Sequence, residues 1–134
     1  MFGSEKIIGR KTATMDYKNR ISLPNFTYAE KDDKIIVLSQ EDYFSLYSSN
    51  YIDNTFVSKK IETVEDFILQ SKIYDDLSKY IVAELLVGSN CRISLSSFLI
   101  EEYRKVRSVI LSGAVDHLNL YPTEEIAKKH IFMM

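Results

Sequence analysis

The sequence predicts a mainly β, α+β fold with short helices, assembled from one β-rich unit present twice. Three observations lead there. The run Arg20-Ile21-Ser22-Leu23 recurs as Arg92-Ile93-Ser94-Leu95. Two further runs follow each copy at similar spacing: Ile36-Val37-Leu38-Ser39 and Phe44-Ser45-Leu46-Tyr47 after the first, Val109-Ile110-Leu111-Ser112 and Leu118-Asn119-Leu120-Tyr121 after the second. These runs are short, β-branched or alternating, and bounded by turn formers, which is the pattern of strands. Internal duplication narrows the architecture before any single residue is interpreted. The chain divides into a first hairpin unit at 1–60, a helical connector at 61–82, and a second hairpin unit with a C-terminal helix at 83–134.

Ile21 and Leu23 form a short alternating strand stopped by Pro24, which cannot continue a ladder. Asn25 to Lys31 allows one helical turn. Lys34 to Ser39 is a β-branched strand, Gln40-Glu41-Asp42 a turn, and Tyr43 to Tyr47 the returning strand of a hairpin. Thr63 caps a helix running to about Tyr80, with Asp66 three residues on as a weaker capping box. Glu65 and Asp66 near its start and Lys79 near its end suit the helix dipole. Val64, Phe67, Ile68, Tyr74, Leu77 and Ile81 fall largely on one face, so this connector is expected to pack on the sheet. In the second unit, Leu85 to Val87 and Ile93 to Leu95 flank a turn at Gly88-Ser89-Asn90. Phe98 to Arg104 reads as helical, Ser108 to Ser112 and His117 to Tyr121 as strands, with Gly113 turning the chain between them. Pro122 and Thr123 start a short terminal helix, capped by Thr123.

Of the 134 residues, 46% are apolar and 27% charged, an ordinary balance for one compact domain or two small units sharing a core. The single cysteine, Cys91, has no partner for an intrachain disulfide and reads as a small half-buried hydrophobe. The N-terminal segment lacks the apolar stretch of a signal peptide, and no run approaches the roughly 20 apolar residues of a membrane span. A cytoplasmic location is the expectation. A net charge of −2 is mildly acidic, yet Lys6, Arg10, Lys11, Lys18 and Arg20 cluster against Asp16 alone. Because salt screens beyond about 10 Å, such a local basic surface matters more to a phosphate than the total.

Gly9 through Pro24 reads Gly-Arg-Lys-Thr-Ala-Thr-Met-Asp-Tyr-Lys-Asn-Arg-Ile-Ser-Leu-Pro. This resembles the MraZ family and, more distantly, the AbrB-like swapped-hairpin DNA-binding proteins. The family pattern places a glycine ahead of an aliphatic residue, then Asp-x-Lys-Gly-Arg, then an apolar alternation ending in proline. Gly9, Met15, Asp16, Lys18, Arg20 and Pro24 occupy those places. Asn19 stands where glycine is preferred, a substitution that a left-handed turn tolerates. The second copy keeps Arg92 but has Gly88 for the aspartate, Cys91 for the glycine and Ser96 for the proline. The resemblance covers nearly the whole chain except about the first eight residues and a variable middle. It implies two swapped-hairpin repeats interlocked as one pseudo-twofold, barrel-like body. It also implies a transcriptional regulator, associated with the nucleoid and assembled into ring-like homo-oligomers, that binds double-stranded DNA repeats upstream of the division and cell-wall gene cluster.

The residues themselves suit that chemistry. Arg20, beside a tight turn, can take guanine O6 and N7 together or clamp a phosphate. Lys18, Arg10 and Lys11 supply phosphate contacts, and Arg92 is the equivalent of Arg20 in the eroded copy. Asp16, a poor DNA ligand by charge, orients Arg20 or accepts turn amides. The same Asp16–Arg20 pair also reads as a plain surface ion pair worth ~0–1 kcal/mol. His117 and His130 lie far apart without partners at metal-ligand spacing, and four glycines form no phosphate-cradling loop. No nucleophile elbow is present, so no enzyme, metal, cofactor or small-molecule ligand is expected. An antitoxin-like protein-interaction module on the same scaffold is the alternative, motivated by the eroded second motif and the acidic total. A structural oligomer whose DNA affinity has faded is a third.

Overall fold

A computed structural model describes residues 1–57, 62–99 and 107–131. Among the described residues, eight strands form two sheets. In chain order they are β1 (Arg10–Thr14), β2 (Arg20–Ser22), β3 (Lys34–Ser39), β4 (Phe44–Ser48), β5 (Ile81–Leu86), β6 (Arg92–Ser94), β7 (Ser108–Gly113) and β8 (Leu118–Tyr121). The α-helices among the described residues are α1 (Ser49–Ile52), continued by a π-helical turn at Asp53–Val57, α2 (Val64–Ser78) and α3 (Glu124–Ile131). The protein is thus mainly β with short helices, and no described helix is long and apolar enough to cross a membrane.

The larger sheet has six strands in the order β1-β7-β8-β4-β3-β5, all pairings antiparallel. Strands of the two sequence units are therefore intermixed: the hairpins β3–β4 and β7–β8 each stay within one unit, while β1 pairs with β7, β5 with β3, and β4 with β8 across them. The sheet does not close into the expected barrel; β1 and β5 are its two ends, and closure would need those two to pair. β2 and β6 form a separate two-stranded ribbon in which Ile21 faces Ile93.

The ribbon is held by its inward face. Ile21 and Ile93 are each 1% exposed and join Leu23, Leu95, Val37, Leu46, Leu111 and Leu118 in one core. A smaller cluster on the far face of β3 joins Ile36, Leu38 and Ile52 to Tyr47, Leu77 and Ile81. Phe2 and Ile7 are buried as well, and Ile7 bridges Val115 through bonds of 2.8 and 3.0 Å.

Several expectations need correction. α2 does not lay its apolar stripe on the sheet: Val64, Phe67, Ile68 and Leu69 are exposed, and among the described side chains of the expected stripe it is Leu77, near the helix end, and Ile81, which starts β5, that reach the small cluster. Periodicity fixes the helix and its Thr63 cap, which accepts the Asp66 N–H at 3.0 Å, but not what the stripe meets. Gly113 is not a turn residue. It ends β7, the turn follows at Ala114 to His117, and a Cβ at 113 would lie 2.4 Å from the Ile7 carbonyl oxygen. Close backbone approach, not turning, requires this glycine. The helical turn after Pro24 is shorter than expected, a 3-10 turn at Asn25–Thr27 ended by Tyr28 at φ 62°. β5 starts at Ile81, four residues before the expected strand. The expected helix over 98–104 falls largely on residues outside those described, as does the Tyr74 side chain.

Candidate nucleic-acid interface

The loop from Met15 to Arg20 is organised by one carboxylate. Asp16 Oδ1 accepts the backbone N–H groups of Lys18 at 2.8 Å and Arg20 at 2.9 Å. Its Oδ2 accepts Nε of Arg20 at 2.8 Å. The Asp16 N–H donates to the Arg20 carbonyl at 2.9 Å, which closes the loop onto the start of β2. Asn19 supplies the left-handed residue this turn needs, at φ 58°. The backbone N–H of Arg20, foremost among these donors, holds the Asp16 carboxyl below its ordinary value of 3.8, against the opposing effect of desolvation. Asp16 thus contacts both the turn amides and the Arg20 side chain.

Because Arg20 gives Asp16 only its Nε–H, both Nη groups remain for a ligand. Strand alternation puts Arg20, Ser22, Arg92 and Ser94 on the ribbon face opposite the buried Ile21 and Ile93. Register pairs Arg20 with Ser94 and Ser22 with Arg92. The two arginines stand diagonally, ~7 Å apart along the strand direction. A ribbon of two strands is one of the shapes that the major groove admits.

The remaining cations distribute unevenly. Lys18 is exposed beside Arg20, its ammonium 5.5 Å from the ring centroid of the exposed Tyr17. Lys11 lines a groove of about 770 Å3 with Ser22, Pro24, Phe26, Asn90 and Cys91, so it sits at the Arg92 end of the ribbon. Arg10 touches this groove and also a cavity of about 410 Å3 beneath α3, with Thr12, Glu124 and Lys128. It starts β1, six residues before Asp16 and ~20 Å away along an extended strand. The structure therefore brings Asp16, Lys18 and Arg20 together at one end, while Lys11 and Arg10 line a groove with Ser22 and Cys91 at the other.

One basic residue of this surface was not singled out by the sequence. Arg107 donates from Nη2 to the Asp16 carbonyl oxygen at 2.6 Å and from Nη1 to Asn19 Oδ1 at 3.2 Å. No local motif marks it, since it lies 91 residues from Asp16 and arrives there through sheet pairing.

The histidines are engaged by acids. His117 Nδ1 meets Asp116 at 2.6 Å, Tyr51 donates to the same carboxylate at 2.7 Å, and His130 pairs with Asp42. Among the described residues no three His, Cys, Asp or Glu side chains converge on a metal-sized site. Cys91 is half-buried, and its Sγ–H donates to the Ala29 carbonyl at 3.2 Å. No known family model matches this chain, and no curated protein matches it by sequence.

Proposed function

We propose that this protein is an MraZ-like regulator, without enzymatic activity, that binds double-stranded DNA through the β2–β6 ribbon and the Asp16–Arg20 loop. The observation that carries the reading is the buttressed arginine: Asp16 fixes Arg20 through Nε and leaves its outer donors for a guanine edge or a phosphate. Lys18, Lys11 and Arg92 flank it as phosphate contacts, with Arg10 at the margin. The pairing pattern supports two interlocked swapped hairpins, because exchanging β1–β4 for β5–β8 turns β1–β7 into β5–β3 and β3–β4 into β7–β8 and leaves β2–β6 and β4–β8 unchanged. Promoter repeats of the division and cell-wall gene cluster are the targets that the resemblance points to, and the protein acts as a cytoplasmic, nucleoid-associated homo-oligomer.

A gel-shift salt series with direct repeats from the protein's own upstream region tests this. If about four phosphates are neutralised, affinity should fall on the order of 100-fold between 50 and 200 mM salt. Binding that is absent at low ionic strength, or indifferent to salt, sinks the reading. A protein-interaction module is favoured by a different observation, the exposed Val64, Phe67, Ile68 and Leu69 of α2. Light scattering with and without the duplex separates a DNA-dependent assembly from a purely protein one.

A further inference from the structure

We infer that the interface has one reading end: Arg107 clamps the Asp16 loop so that Arg20 discriminates bases, while Arg92 contacts phosphate alone. This rests on the DNA-binding reading above and assigns a positioning role to Arg107.

The two turns share a backbone and differ in side chains. Gly88 N–H donates to the Arg92 carbonyl at 2.8 Å, as Asp16 N–H does to Arg20 at 2.9 Å. Cys91 is left-handed at φ 56°, as Asn19 is at 58°. Leu23 N–H meets the Cys91 carbonyl at 2.8 Å, and Leu95 N–H meets that of Asn19 at 2.9 Å. Val87 N–H meets the Asp33 carbonyl at 2.9 Å, and Met15 N–H meets that of Arg107 at 2.8 Å. Asp33 thus holds the place at the second turn that Arg107 holds at the first.

The chemistry at those places is opposite. At the first turn a carboxylate grips Arg20, and a guanidinium from the other sequence unit ties down that carboxylate's own backbone and Asn19. At the second, Gly88 offers no carboxylate. Asp33 turns its own carboxylate to the N–H groups of Phe2 at 2.7 Å and Glu30 at 2.8 Å. No described residue holds the Arg92 side chain. An arginine fixed beforehand can hold bidentate geometry on one base, whereas a swinging one adds attraction to any sequence.

The wild-type protein is used to enrich a duplex from a randomised pool, and variants are measured on that duplex and on a scrambled one. Arg20→Ala and Arg107→Ala should each lower the ratio of the two affinities, Arg20→Ala by about 10- to 100-fold. Arg107→Ala should leave the salt slope unchanged and speed hydrogen exchange of the Arg20 amide in the free protein, with Ile93 amide protection retained as proof of folding. Arg92→Ala should weaken both duplexes equally and reduce the salt slope by about 0.9. Gly88 sits at φ −91°, and a Cβ there would meet the Arg92 carbonyl at an ordinary 3.6 Å. Gly88→Asp should therefore fold and extend the enriched sequence by a newly specified position. If Arg92→Ala costs as much discrimination as Arg20→Ala, or Arg107→Ala costs none, the inference fails while DNA binding stands. Equal wild-type affinity for both duplexes also overturns it. Should wild type bind no duplex at all, both readings fall together.

Discussion

Asp16 spends both carboxylate oxygens on its own loop, so its protonation state and the geometry of Arg20 are linked. Its folded pKa lies below the ordinary 3.8, so the stabilisation it gives is complete above that value and lost as pH falls through the lowered one. The Asp16 carboxyl carbon, followed by NMR, should titrate below 3.8. In Arg20→Ala it should move only part of the way back, because the leading cause, the backbone N–H of residue 20, survives the substitution. Gly113→Ala is a sharper steric test. Its Cβ would meet Ile7 backbone atoms at 2.4 and 2.7 Å, and an overpacking cost of about 1–3 kcal/mol or more should appear in urea unfolding. At this scale the sequence was legible where partners are close in the chain. Asp16, Asn19 and Arg20 sit within one turn and follow a recognisable spacing, whereas Arg107 reaches that turn only because β1 pairs with β7.

Among the elements, the β2–β6 ribbon depends on its two central isoleucines. Ile93→Ala should cost about 2–5 kcal/mol in denaturant unfolding, since Ile93 is 1% exposed and pairs with Ile21 over the core. Phe67→Ser on α2 should change monomer stability by less than about 0.5 kcal/mol, because that side chain is 57% exposed. β3, β4, β7 and β8 were readable from β-branched and alternating runs that feed the core. β1 was not: Arg-Lys-Thr-Ala-Thr has one apolar residue, Ala13, and forms a strand because β7 offers it an edge. α2 was readable through its cap and its period, yet neither reports which surface the helix meets.

Over the whole molecule, two acids tie each late helix to the turn before the other unit's last strand. Asp116, before β8, binds Tyr51 on α1, and Asp42, before β4, binds His130 on α3. Burial, then Asp116, pushes the Tyr47 phenol beside them up to about 12. A raised phenol pKa gives stability that is present below the ordinary 10.0 and lost as pH rises through 12. Thermal unfolding midpoints should fall across that alkaline window, and Tyr47→Phe should flatten the fall. The short apolar runs made the β-rich character visible, but the intermixed strand order depends on long-range pairing that no local window contains. The most direct test of the central claim is the affinity ratio of enriched to scrambled duplex for Arg20→Ala, measured at constant salt. A collapse of that ratio with the fold intact is the expected result; a ratio equal to that of wild type would contradict the account.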